Sequence, residues 1–239
     1  MDLTTTQWTS ENYTKFLTFL ELKRNDKAQA REAKIVRTNY PILGISMAEL
    51  KVWGTAISQG DPMGFLAVAG TEVYEMILVR AIVISRLRFN LADFIAICDH
   101  YFATADCWAI CDMAIHFKQV KRYPAEFLTT IARYLKSDHP WFQRSGLVFL
   151  LKFYLTPEFR DQAFTLALSV TSDDNYVQLG QAWFLAAAFK DDPNRVYQVL
   201  ETMPVPLVQR TVQKIKSLRR TTPEQKRTLT EILARRRAE

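Results

Sequence analysis

The chain has 239 residues and a formal net charge of +6, and 49% of its residues are hydrophobic. This length and composition allow a buried core that depends on neither disulfides nor metals. The 7 Gly and 9 Pro residues are too few for the regular turns of an all-β sandwich, so an all-α fold in one domain, residues 1–239, is predicted.

Apolar residues recur at three- and four-residue steps in a succession of short segments, which is the periodicity of amphipathic helices. About a dozen helices are predicted. The clearest cover approximately residues 10–22, 47–58, 72–85, 91–102, 107–117, 124–135, 141–154, 157–170, 176–189 and 223–235. Pro124, Pro157 and Pro223 suit a first helical turn, and Thr156 and Thr222 are candidate caps. Helices of this length cannot each bury an apolar stripe alone, so they are expected to stack in pairs. Together with the family resemblance described below, this favours a HEAT-like helical-repeat solenoid, an α-α superhelix, over a compact helical bundle.

The sequence shows no signal for secretion or for a membrane. The first twenty residues lack a basic start followed by a continuous apolar stretch, and no apolar run reaches the length of about 18 residues that spans a bilayer. Cys98, Cys107 and Cys111 are an odd number of cysteines crowded together, which is typical of free thiols in a reducing compartment. We expect a cytoplasmic protein.

Basic residues are concentrated in two segments. Residues 118–160 carry 8 Lys and Arg against 3 Asp and Glu, and residues 206–239 carry 10 against 3. On helices this charge can form a stripe that faces a polyanion, although a solvated helix surface gives the same pattern. The charge alone therefore does not identify DNA as the partner.

The segment from Cys107 to Ile115 places one carboxylate, that of Asp112, inside an otherwise apolar helix. Trp108 and Asp112 are four residues apart, so they project from the same face of a helix. An indole and a carboxylate then share one small surface. The structural alternative is that Trp108 lies in the core while Asp112 caps a neighbouring helix or pairs with a basic residue.

Two later helices carry a tryptophan in a similar setting. Trp141 is followed by Arg144, and Trp183 lies in an apolar segment further along the chain. With the Trp108–Asp112 pair these pieces resemble the AlkD-type DNA alkylation repair glycosylases, which are HEAT-like-repeat proteins. In that family a W-x-x-x-D helix, a W-x-x-R helix and a third helix with a Trp line a concave DNA-binding face. The resemblance covers nearly the whole chain.

The resemblance implies a DNA glycosylase that removes positively charged N3- or N7-alkylated purines from double-stranded DNA. Such a base leaves without a general acid, and an anion stabilises the positive charge that develops at the deoxyribose C1′. Asp112 is the candidate for that anion, and Trp108 and Trp183 would offer indole faces to the cationic group. The residues expected to contact DNA are Trp141, Arg144 and Lys152.

Four positions depart from the pattern of the family. Ser46 and Met47 stand where many relatives have Arg-x-Pro, and Gln143 replaces one of two adjacent arginines. Ala186 stands where a basic residue often follows the third tryptophan. These changes weaken the expected contacts to phosphates, whereas the catalytic pieces are retained.

Other functions have less support from the sequence. The spacing of the cysteines and of His100 and His116 matches no common zinc module, and no Gly-rich phosphate loop, G-x-S-x-G or H-E-x-x-H motif is present. Two alternatives stay open: a non-catalytic solenoid that binds unusual DNA or RNA structures, and a protein-interaction scaffold. We expect a monomer that needs neither a cofactor nor a metal.

Overall fold

A computed structural model describes residues 2–238. Within that range the protein has fourteen α-helices and no strand, which confirms the all-α fold. The chain forms two compact units, Met1–Tyr123 and Pro124–Glu239. The single domain and the superhelix stay predictions. None of the helices formed by the described residues is both long enough and apolar enough to cross a membrane.

The first unit is built around a helix that is buried along its whole length. Its α-helices are α1 (Ser10–Leu22), α2 (Asp26–Val36), α3 (Met47–Gln59), α4 (Pro62–Val68), α5 (Tyr74–Ile84), α6 (Leu91–Phe102) and α7 (Trp108–Asp112). Two 3-10 segments follow, Met113–His116 and Lys118–Arg122. Every residue of α5 is buried, and α3 packs along it. Because α5 is apolar over most of its surface, it must be covered on all sides.

The second unit is a row of paired helices. They are α8 (Pro124–Leu135), α9 (Pro140–Phe149), α10 (Arg160–Leu168), α11 (Asn175–Ala188), α12 (Pro193–Leu200), α13 (Val205–Lys216) and α14 (Pro223–Ala238). A π-helical turn, Leu150–Tyr154, continues α9. α11 packs against both α9 and α13, and α8 packs on α9. The apolar residues that recur at helical spacing in α8, such as Phe127 and Ile131, are the ones that become buried.

Most predicted helices are found, and two predictions need correction. Residues 107–117 do not form one α-helix, because α7 ends at Asp112 and the chain tightens into 3-10 geometry that keeps Met113 and Ala114 buried. Pro157 does not start a helix: it lies in a turn in which the Thr156 carbonyl accepts the N–H groups of residues 159 and 160, and α10 begins only there. Pro124 and Pro223 do start helices, as predicted.

Candidate functional site

A cleft of about 750 Å³ lies in the first unit, and both Trp108 and Asp112 line it. Its walls come from α2, from the loop that leads into α3, and from α7 with the 3-10 segment after it. Both side chains are half-buried. The indole and the carboxylate therefore share one surface, as their spacing predicts, and the cleft has the size of a small-molecule site.

Trp108 is anchored to α2 through its indole nitrogen. Nε1 donates a hydrogen bond to the carbonyl oxygen of Ile35 at 3.2 Å. Ile35 lies in the last turn of α2, where carbonyl groups have no partner within the helix. This bond fixes the indole beside α2, and Asp112 follows one helical turn later on the same wall of the cleft.

A buried carboxylate shapes the loop before α3. Glu75 is 0% exposed, and its Oε1 accepts the backbone N–H groups of Leu43 at 2.9 Å, Gly44 at 2.7 Å and Ile45 at 3.3 Å. These N–H groups would otherwise be buried without partners. Because Gly44 and Ile45 line the cleft, Glu75 holds one of its walls in place.

The same loop approaches the first turn of α2 so closely that only glycine fits. Gly44 has φ +79°, and a Cβ atom there would lie 2.4 Å from the backbone nitrogen of Gln29 and 2.5 Å from the carbonyl oxygen of Asn25. Asn25 also donates its backbone N–H to the carbonyl of Leu43 at 2.9 Å. The loop and α2 thus form one continuous wall.

The cleft has more carboxylates than basic side chains. The charged residues that line it are Lys23, Arg31, Glu32, Glu49 and Asp112, together with the titratable His116. The pKa of Glu32 is raised above its ordinary 4.5 because burial disfavours the charged form and the Glu75 carboxylate adds to that effect, while Arg31 opposes it. Three carboxylates thus face two basic side chains and a histidine across the cleft.

Two of the departures from the family pattern lie at the rim of this cleft. Ser46 is the N-cap of α3 and forms a capping box with Glu49, each side chain accepting the backbone N–H of the other. Met47 is 38% exposed and Ile35 is 57% exposed, and both line the cleft. An N-cap serine therefore stands where the family pattern has its arginine, and two exposed apolar side chains lie beside it.

In the second unit, Trp141 and Arg144 are both engaged with the start of α11. The Trp141 ring lies 5.2 Å from that of Tyr176. Arg144 is only 6% exposed, and its Nη1 donates to the carbonyl of Tyr176 at 2.8 Å. This contact ties α9 to α11, and the role of Arg144 in binding DNA stays a prediction.

Trp183 lies beside a cation that the sequence analysis did not select. The Nζ of Lys214, on α13, lies 5.6 Å from the centre of the half-buried Trp183 ring. Leu179, one turn earlier on α11, is also exposed. Lys152 is exposed on the π-helical turn. The second unit thus offers an aromatic ring with a lysine over it, and a separate exposed lysine.

The other two departures have structural roles in this unit. Gln143 donates its side-chain amide to the carbonyl of Ser137 at 2.8 Å, just beyond the end of α8. Ala186 is buried, and its carbonyl accepts a long hydrogen bond of 3.5 Å from Arg220. The Arg220 guanidinium therefore contacts the backbone of α11 at this buried position.

Three functional candidates escaped the sequence analysis: Glu32, Lys214 and Arg220. Glu32 belongs to α2, a helix with a single buried residue and thus a weak apolar period. Lys214 carried a signal, because it lies in a basic segment with helical periodicity. The residues that contact these three side chains are distant in the sequence, and no sequence pattern identifies them.

All three cysteines are buried, and none forms a disulfide. No group of three or more His, Cys, Asp or Glu side chains among the described residues is placed to hold a metal ion. Burial raises the pKa of the Cys107 thiol to about 11, so this thiol is protonated at neutral pH.

A comparison with known protein families gives one match. The profile described as DNA alkylation repair enzyme matches residues 17–227. No curated protein and no solved structure matches the chain. The matched range contains the cleft wall with Trp108 and Asp112 as well as the helices with Trp141 and Trp183. The chain therefore belongs to the AlkD-type family of DNA alkylation repair enzymes.

Proposed function

We propose that this DNA repair protein is a glycosylase that excises positively charged N3- or N7-alkylated purines from double-stranded DNA. The observation that carries the proposal is the placement of Trp108 and Asp112 on one cleft with more carboxylates than basic side chains. The Asp112 carboxylate can stabilise a cationic base or sugar beside the Trp108 indole. The cleft volume of about 750 Å³ accommodates a nucleoside with an alkyl group.

The reaction needs little from the protein beyond charge and position. Alkylation at N3 or N7 gives the purine a positive charge, so the C1′–N bond breaks with its electron pair going to the base, which leaves neutral. Positive charge then develops on the deoxyribose, and the Asp112 carboxylate stabilises it. Water adds to C1′ and gives up one proton, which Asp112 is positioned to accept. No general acid is required.

The tryptophans and lysines have supporting roles in this proposal. An indole face attracts cations and contributes about 0.5 to 2 kcal/mol at a partly desolvated site, a role that we assign to Trp108 and Trp183. The residues proposed to contact the DNA backbone are Trp141, Arg144, Lys152 and Lys214. Arg144 also keeps its hydrogen bond to the carbonyl of Tyr176. The proposed enzyme acts as a monomer.

A second candidate function is the recognition of unusual nucleic-acid structure without catalysis. It is favoured by the apolar rim formed by Ile35 and Met47 and by the burial of Arg144. Both features reduce the number of phosphate contacts expected of a glycosylase that holds its substrate through the backbone. Such a protein would use the same cleft but release no base.

The release of free base from DNA tests the proposal. A duplex that contains 7-methylguanine is incubated with the protein, and the free base is measured by mass spectrometry against incubation without protein. We expect release from this duplex and none from one that contains hypoxanthine, because that base is neutral and needs a proton to leave. DNA binding without release supports the second candidate, and the absence of both binding and release contradicts both functions.

A further inference from the structure

Arg80 is a buried cation that makes no direct polar contact within residues 2–238. It lies on α5, is 3% exposed, and makes no hydrogen bond or ion pair within the described residues; its Nε is fully buried and unbonded. A guanidinium keeps its charge under all ordinary conditions and has five N–H donors. Buried groups of this kind almost always have hydrogen-bond partners, so an unpartnered one calls for an explanation.

The polar groups that interact with Arg80 through space form their hydrogen bonds with other partners. Tyr40 donates its hydroxyl to the carbonyl of Thr104 at 2.8 Å, and Tyr101 donates to the carbonyl of Ile110 at 3.3 Å. Tyr13 donates to the carboxylate of Glu72, which is itself exposed. Burial lowers the pKa of Arg80, and these groups oppose the shift only through space. The surrounding protein leaves the charge without a direct counterion.

Arg80 also lines a second cavity of the first unit, with a volume of about 370 Å³. The cavity lies among α4, α5 and α6, and its wall is mainly apolar, with Leu66, Ile84, Phe89 and Ile97. It shares no lining residue with the cleft of Trp108 and Asp112. The exposed His100 also lines the cavity. The cavity therefore combines one buried, unpaired guanidinium with a mainly apolar surface.

We propose that this cavity binds a small organic carboxylate with an apolar body. The carboxylate matches the planar fork of the guanidinium, which bonds it through two N–H groups, and the body packs against the apolar wall. A single cation neutralises a monoanion but not a doubly charged phosphate. Asp93 also lines the cavity, although its carboxylate accepts the side-chain amide of Asn90 at 2.8 Å, and it further disfavours a higher negative charge. Water alone would satisfy the N–H donors and leave the charge unneutralised.

Isothermal titration of the full chain with octanoate tests this inference. We expect saturable binding at one site, at least about tenfold tighter than that of octan-1-ol, which lacks the charge, or of acetate, which lacks the body. Arg80→Met, which keeps an unbranched apolar stem and removes the charged guanidinium, should lose the binding. It should also unfold at the same temperature as the wild type or higher, because a buried unpartnered charge is removed.

A second variant keeps the test decisive if Arg80→Met does not fold. Ala96→Trp places a large ring at an exposed position that lines the cavity, leaves Arg80 intact, and should also abolish octanoate binding. The inference is wrong if the wild type does not bind octanoate, if octan-1-ol binds equally well, or if sulfate does. Undiminished binding in either variant also contradicts it. Base excision involves none of these residues and is expected to be unchanged in both variants.

Discussion

Glu75 is a buried residue that fixes one wall of the cleft through hydrogen bonds to the backbone of residues 43–45. Its carboxylate accepts three consecutive backbone N–H groups, and both of its oxygens take part. In a glutamine side chain, one of these oxygens is replaced by an NH2 group, which cannot accept a hydrogen bond from a backbone N–H. We therefore expect Glu75→Gln to lower the free energy of unfolding by about 3 kcal/mol, as measured by urea denaturation. The exposed Glu21→Gln is the control, with an expected change within about 0.5 kcal/mol. Equal stability of the two variants would show that the three hydrogen bonds to the Glu75 carboxylate contribute little to the free energy of unfolding.

Glu32 gives the cleft a dependence on pH. Its raised pKa means that it takes up a proton at a higher pH than the ordinary 4.5, and the neutral form repels DNA phosphates less. DNA affinity should therefore rise as the pH is lowered from neutral, and the rise should begin at a higher pH than an ordinary glutamate would give. In Glu32→Gln the part of the pH dependence that is due to Glu32 should be lost, and the affinity for DNA at neutral pH should be higher than that of the wild type.

Fluorescence anisotropy with an undamaged duplex measures both effects. The other titratable groups of the cleft, Glu49, Asp112 and His116, are present in both proteins, so the difference between the two curves reports on Glu32 alone. Parallel curves for the wild type and Glu32→Gln would mean that Glu32 does not respond to bound DNA.

For individual helices, sequence periodicity predicted the features that depend on nearby residues, namely helix bounds and the face on which a side chain lies. α1, α6 and α8 begin and end at the predicted residues, and the four-residue spacing of Trp108 and Asp112 placed both on one surface. The burial of Arg144 could not be predicted, because its partner carbonyl lies 32 residues away. The same holds for Glu75, whose three N–H partners lie at least 30 residues away and belong to a loop without periodicity.

The contact between α11 and α13 leads to a prediction about salt. If Lys214 holds a phosphate beside Trp183, Lys214→Ala should make the slope of log affinity against log salt concentration shallower by about 0.9. Lys190→Ala removes the same charge from an exposed lysine next to Asp191 and should leave the slope unchanged. Identical slopes in the two variants would remove Lys214 from the proposed DNA contacts.

Arg144→Ala separates two roles that the structure allows for this residue. Loss of a DNA contact would make the salt slope shallower by about the same 0.9, whereas loss of the hydrogen bond to Tyr176 would lower stability. We expect both changes, with the loss of stability measured by thermal denaturation. A less stable variant with an unchanged slope would restrict Arg144 to holding α9 against α11.

Over the whole molecule, charge is divided unequally between the two units. Residues 1–123 carry 14 Lys and Arg against 13 Asp and Glu, and residues 124–239 carry 17 against 12. The second unit therefore supplies five of the six net positive charges. We expect long-range attraction to DNA to depend on this excess, whereas the proposed excision of a cationic base is assigned to the cleft in the nearly neutral first unit. Substitutions of basic residues in the second unit should accordingly lower DNA affinity, whereas substitutions in the cleft should lower the rate of base release.

Asp112→Asn tests the central claim most directly. Asparagine keeps the shape of the side chain and removes the charge that opposes the developing cation, so the loss falls on the transition state rather than on binding. Asp173→Asn, at an exposed position of the second unit, changes the net charge equally and is the matched control. Release of 7-methylguanine is measured under single-turnover conditions beside DNA affinity and thermal stability. We predict that release falls at least about a hundredfold in Asp112→Asn alone, with DNA affinity equal to or slightly above that of the wild type. Full release by a folded Asp112→Asn protein would contradict the assignment of Asp112 as the catalytic anion.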